Sequence, residues 1–335
     1  LKLKLKLKLK LKLKLKSKRV PMLRVAVWRT LSAIPLLLLL SLLAFLLLHL
    51  VPGSVAGVLL KMDATPEAVA ALEAEMGLDD PLPVQYTRWL WAALQGDLGV
   101  SLGNGQPVAA AIGQRIGVTL SITLGGMLLA VTLGVSLGIL AALYPQSLLD
   151  RGITVLTSFY SALPSYFMAM LLVLLFAIEL NWLPAMGYTA PTKDIGGWLQ
   201  SIILPCIALG LSSAAWIARQ TRSAMLGVMQ STYIRAARAS GIPFWRIVRR
   251  HALRNALIPV VTIVGLRFSV MLGIAFVVEQ VFGMPGIGEL LVRAVLDQDI
   301  TVVQGGVMTI GLLVIGVNTL VDVSYAWLNP KVRLL

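Results

Sequence analysis

The fold class this chain predicts is an all-α polytopic membrane protein, and three observations predict it. Of its 335 residues, 58% are hydrophobic and 13% charged, with a mean hydropathy of +0.85. That leaves too little polar surface to cover a soluble domain of this length. Apolar runs such as "LLLLLSLLAFLLLHLV" approach or exceed the ~20 residues that carry a helix across a bilayer. They are continuous, whereas a transmembrane barrel alternates in segments of ~10 residues. The third observation is segregation of charge: from Arg219 to Arg254 there are eight arginines and no acid.

Residues 1–16 are eight Leu-Lys repeats, followed by Ser17, Lys18 and Arg19. This stretch has neither the apolar core nor the small-residue cleavage site of a signal peptide. We read 1–21 as a non-native or placeholder extension and expect natural translation to begin at Met22. Its ten basic residues account for most of the formal charge of +14.

Six spans follow. The first runs from about Leu31 to Val51. Arg24 and Arg29 before it place the N-terminus in the cytoplasm, because basic residues accumulate on that side. Residues 52–115 carry seven acids and three bases and are expected outside. Within them, "ATPEAVAALEAEMGL" reads as a short helix: Thr65 as N-cap, Pro66 at the first position, Gly77 as the stop. A second piece, "VQYTRWLWAAL", offers the interfacial aromatics Tyr86, Trp89 and Trp91. Further spans are expected at about Gly117–Leu143, Ile153–Leu180, Ser201–Ala218, Leu257–Val278 and Val302–Leu320. Leu163-Pro164 interrupts the third, where proline removes a backbone donor and kinks a helix. The loop "EQVFGMPGIGELLVRAVLDQDI" has four acids and one base and reads as external. Lys331 and Arg333 return the C-terminus to the cytoplasm.

The arginine-rich stretch 219–254 is therefore cytoplasmic. Ser231 or Thr232 caps a helix that ends at Ser240, and Gly241 fits a left-handed stop. Pro243 then opens a second helix. Ala236 and Ala237 remove side-chain bulk from the first helix, so another protein can approach its backbone. Arg246, Arg250 and Arg254, four apart, form one basic stripe, while Phe244, Val248 and Ala252 recur on an apolar face. A signal that only sets topology or touches anionic headgroups needs charge, not this architecture. Nucleic-acid binding lacks a stacking module or recognised fold beside the arginines. Docking of a soluble partner explains the pattern best.

No catalytic kit accompanies these spans. Cys206 is the single cysteine, and His49 and His251 lie far apart, so no metal site is expected. No GxxxxGK[ST] loop is present.

"RAARASG" followed by "HALRNALIP" resembles the EAA loop of ABC importer permeases, in the variant of the dipeptide/oligopeptide/nickel permease family. The likeness extends over nearly all of 22–335. It runs through "MLR", "LVPGS", "ATPEAVAALEAEMGLDDPLPVQY", "GDLGVSL", "LDR", "LPSYF", "NWLPAMGY", "VFGMPGIGELLVRAV" and "VDVSYAWLNPKVR". Arg235 stands where the general motif has Glu, Thr232 where relatives often carry an acid, and Ser240 where Lys is frequent. The resemblance implies the ABC importer type I permease fold in a bacterial plasma (inner) membrane. It makes the short helix a coupling helix seated in an ATP-hydrolysing subunit, with Ala236, Ala237, Arg238 and Gly241 at the contact and Arg235 and Arg246 at its rim. It further implies two ATP-binding subunits that hold ATP and Mg, a second permease that is a related but different chain, and an extracytoplasmic substrate-binding protein. No cofactor belongs to this chain.

Peptides are the expected cargo, with nickel or a metal chelate as the alternative within the family. The competing class is a self-sufficient secondary transporter or channel, which needs coupling-ion sites or paired broken helices in an inverted repeat. Pathway candidates are Ser158, Ser161 and Ser165 around Pro164, and Asn318 and Asp322, four apart on one helix face. A hydrogen bond to a neighbouring helix explains the latter two equally well. Arg267 and Glu279 suggest an ion pair, but twelve residues place them ~120° apart on one helix, so they cannot meet within it.

Overall fold

The computed structural model describes residues 22–50, 57, 60 and 65–328. The Leu-Lys extension, the "PGS" after the first span, and Lys331 and Arg333 lie outside the described residues, as does the side chain of Asp322. Apart from an isolated bridge between Val100 and Pro107, every regular element described is helical. In chain order these are α1 (Met22–Leu50), α2 (Pro66–Met76), α3 (Leu82–Leu94), α4 (Val108–Leu143), α5 (Leu148–Ala162), α6 (Ser165–Glu179), α7 (Ile195–Met229), α8 (Thr232–Ala239), α9 (Phe244–Val281), α10 (Ile287–Leu296) and α11 (Ile300–Leu328).

Four of these, α4, α7, α9 and α11, are each long and apolar enough to cross a membrane. The first expected span is a shorter apolar stretch, Leu31–Leu46, within α1. The third is not a kinked helix. α5 and α6 meet at an angle of 100°, because Leu163 and Pro164 are both extended (ψ 126 and 142). Proline disfavours the helical conformation in the residue before it, and here two successive residues leave the helix. α6 ends in a π-helical turn, Val173–Glu179.

The tightest seam joins α4 to α7. Gly126, Ala130, Gly134 and Gly138 recur every four residues on α4 and are all buried. A Cβ on Gly134 would sit 2.8 Å from the Ala214 carbonyl oxygen, and one on Gly138 2.5 Å from that of Ala218. Small residues at this spacing let membrane helices approach closely, which is what drives association where lipid is as apolar as the side chains. α9 closes the main core over this pair through Val260, Phe268, Met271 and Leu272. α3 lies on α1: Phe45 stacks on Tyr86 and Trp89, at 5.4 Å and 6.0 Å between ring centres, and the Tyr86 hydroxyl meets Ser41 Oγ at 2.7 Å.

The capping expected of α2 is present. Thr65 Oγ1 accepts from the Ala68 amide, and Gly77 ends the helix at φ 66. The loop after α9 departs from expectation, since it folds into α10. "IGELLVRAVL" places Ile287, Leu290, Leu291 and Ala294 toward Val108, Ile112 and Val302. Glu289 in the first turn and Arg293 in the last match the helix dipole.

The molecule therefore has two chemically distinct ends. One gathers the tops of α4 and α9, all of α10 and the start of α11, with Glu279, Glu289 and Asp299. The other gathers the ends of α4 and α7, all of α8 and the start of α9, with the arginines.

Candidate functional site

At the arginine-rich end, α8 is a two-turn helix standing on one buried residue. Ile234 is fully buried among Met225, Ile247, Val248 and Ala252. Ala237 packs half-buried beside it, while Arg235, Ala236 and Arg238 face outward. Gly241 adopts φ 74. Its amide donates to the Arg238 carbonyl, and the Ile242 amide reaches back to Ala237. This double closure is the glycine-terminated helix end that few other residues tolerate. The N-terminal cap differs from expectation. Ser231 holds the position, but its hydroxyl donates back to the Val228 carbonyl at 2.5 Å and caps nothing.

The second helix also differs. It begins at Phe244, one residue after Pro243, and runs without interruption into the long α9. The transition is a π-helical stretch, Ile247–Ala252. A turn that closes five residues on shifts the phase of the helix. Arg249 consequently joins Arg246, Arg250 and Arg254 on the exposed side, giving a field broader than one stripe. Ile247, Val248 and Ala252 are buried, whereas Phe244 is exposed and stacks edge-on with exposed Trp245. Asn255 ties the two helices together, donating to the Tyr233 hydroxyl at 2.9 Å and to the His251 carbonyl at 3.0 Å. Asn255 thereby tethers α8 to the start of α9.

Two features escaped sequence reasoning. Asp150, almost wholly buried, receives Arg222 Nε at 2.5 Å and Nη2 at 2.7 Å, a bidentate clamp between α5 and α7. The Gln146 amide donates to the same carboxylate. The available signal was a lone acid, Asp150, in the turn that faces the arginines. The second feature is a cluster about Trp216. Arg219 lies over its ring with Cζ 4.5 Å from the ring centre, and Arg267, from α9, lies 4.2 Å from it. Arg219 Nη1 also donates to Ser161 Oγ at 3.1 Å. Among the described residues neither arginine makes an ion pair.

Of the pathway candidates, Ser161 belongs to this cluster, and its hydroxyl donates onward to the Ser158 carbonyl. Ser158 itself is exposed, and Ser165 is half-buried at the start of α6. Asn318 is elsewhere: its Oδ1 accepts from Ser269 on α9 at 3.1 Å, two residues and hence ~200° around that helix from Arg267. It pins α11 to α9 and is not joined to the serines. Arg267 and Glu279 do not meet. Glu279, at 0% exposure, accepts from Thr119 Oγ1 at 2.6 Å and from the Glu289 amide at 3.1 Å.

Residues 134–334 match the family described as binding-protein-dependent transport system inner membrane component, and residues 22–123 match the N-terminal part described for such components. The chain belongs to this family of permeases. A chain of Brucella abortus named as a peptide transport system permease protein is 40% identical over 305 residues, covering 91% of this chain and 97% of that one. A glutathione transport system permease protein of Salmonella paratyphi A is 40% identical over 313 residues, 93% and 99% of the two chains. A peptide ABC transporter permease named in Sinorhizobium fredii is 36% identical over 305 residues. The protein is thus a multi-pass membrane permease of a binding-protein-dependent ABC importer, and the self-sufficient secondary transporter is not favoured.

Proposed function

We propose that this chain moves di- or oligopeptides, or related small ligands, inward across a bacterial inner membrane, as one of two related but different permease subunits. Its six spans put both termini in the cytoplasm, with α5 and α6 together forming the third. Two partner subunits bind ATP and Mg and perform hydrolysis, and an extracytoplasmic binding protein delivers the ligand. The names of the relatives support peptides as cargo, glutathione being a tripeptide.

The observation that carries the coupling role is α8 itself. Arg235, Ala236 and Arg238 are presented outward on a helix whose only deep root is Ile234, between α7 and α9. Ala236 and Gly241 bring its backbone close to whatever docks there, with Ala237 turned toward the chain's own core and not at the contact expected of it, and Arg246 flanks the helix. ATP-driven closure of the partners shifts the permease only as far as their contacts differ between its two states, and α8 is where such contacts reach two spans at once.

The test is binding-protein-stimulated ATP hydrolysis by the complete complex in proteoliposomes, with Gly241→Pro. Proline cannot adopt φ 74 and lacks the amide that bonds Arg238. The expected result is an assembled complex whose hydrolysis stays at its unstimulated level. Full stimulation and transport by the variant would overturn the assignment.

A further inference from the structure

We propose that Arg219, Arg267 and Trp216 form an anion site that receives the C-terminal carboxylate of the peptide in transit, an inference that rests on the peptide reading above. The two guanidinium centres lie over one indole ring, at 4.5 Å and 4.2 Å from its centre. They therefore sit within about 9 Å of each other and repel. Nothing among the described residues offsets this with an acid. Arg219 gives one N–H to Ser161, but a guanidinium has five to give.

Their placement is not a surface one. Arg267 lies inside the apolar α9, with "LIPVVTIVGL" on one side and "FSVMLGIAFVV" on the other. Arg219 is one turn of α7 away from Arg222, whose clamp on Asp150 closes the arginine-rich end. Trp216 is 42% exposed and both arginines are half-buried, so the cluster opens outward from this subunit. Charges at such depth are costly against lipid and lie along water-lined paths or protein interfaces. That puts this face toward the second permease and the route between the two.

Stacking on a ring fixes the plane of a guanidinium and leaves its N–H edges free, the geometry that meets a carboxylate with two parallel hydrogen bonds. Two such edges with no resident counter-ion make a site whose repulsion is relieved only when an anion arrives. Peptides of different sequence share a terminal carboxylate, so a site for that group serves any peptide the complex carries.

The experiment compares uptake of trialanine and of trialanine amide by the complete complex in proteoliposomes. Each peptide is supplied at a concentration that saturates the binding protein, checked by calorimetry. We expect the wild type to favour the acid by about ten-fold or more, the scale of a charge-assisted bidentate contact. Arg219→Gln and Arg267→Gln should each lower uptake of the acid toward that of the amide, and Arg267→Lys should recover part of the preference. The acid-to-amide ratio is insensitive to how much protein folds. A ratio unchanged in both Gln variants overturns the site. Equal loss of both peptides with the ratio kept also overturns it and assigns the arginines to an acid of the second permease. If the wild type takes up neither peptide, the peptide reading itself has failed, and this site with it.

Discussion

The two ends of the molecule treat charge in opposite ways. At the acidic end the carboxylates are consumed internally. Glu279 is closed by Thr119 and the Glu289 amide. Asp299 receives Ser101 Oγ at 2.5 Å and the Gly103 and Val302 amides, and Glu289 is held by Arg115 and Arg293. At the arginine-rich end, Arg222 alone is paired among the described residues. Arg238, Arg246, Arg249, Arg250 and Arg254 are exposed and make no ion pair there. The first end uses its charges to fix loops onto the bundle. The second leaves most of its charges exposed at the surface, which is what makes it the candidate for docking.

The strongest way to break this contrast is to remove the one exception. Arg222→Ala leaves Asp150 buried without its cation and should lower the stability of the assembled complex by about 3 kcal/mol, read by denaturant titration in detergent. Removing both partners together should cost less than Arg222→Ala alone, because no buried charge is then stranded. If the double variant is the least stable, the clamp is not the coupled unit described.

Next in size is the acidic end. Glu279→Ala strands the Thr119 hydroxyl and the Glu289 amide, at about 1–3 kcal/mol for such unsatisfied groups. Thr119→Val, which also strands the Ile287 amide that donates to the same oxygen at 2.9 Å, should fall in the same range. Both should leave binding-protein-stimulated hydrolysis per assembled complex intact. Loss of stimulation without loss of stability would make this end part of the transport cycle.

What the sequence disclosed follows the same division between local and distant causes. The caps of α2, the left-handed Gly241 and the four long apolar helices α4, α7, α9 and α11 are set by residues within a turn or two of one another, and these could be read directly. α10 is equally local: the three-to-four spacing of Ile287, Leu290, Leu291 and Ala294 marks an amphipathic helix, whereas the net acidity of the stretch reports only the side of the membrane. The 100° bend was half legible. Pro164 announces a break, but how far α6 swings depends on its packing against α7 and α9. The Asp150–Arg222 clamp spans 72 residues, and of the Trp216 cluster only the Trp216–Arg219 pair, three apart on α7, falls in one window of the chain. The helical spacing rightly separates Arg267 from Glu279, but nothing near Arg267 in the sequence points to the ring of Trp216 on α7.

The smallest effect on stability, and the most telling for function, belongs to Arg249 and Arg250. Both are exposed on the π-helical turn beside α8 and bond to no acid in the described chain. Reversal to Glu at both should change stability by no more than about 0.5 kcal/mol, as at surface sites away from packed features. Exposed charges act mainly on encounter and are screened over ~8–10 Å at ordinary salt. Assembly with the ATP-binding subunits should therefore slow in the variant at low salt, and the difference from wild type should fade as salt rises. Equal assembly rates at low salt would mean that this part of the arginine field faces headgroups and not a protein, narrowing the coupling surface to α8 alone.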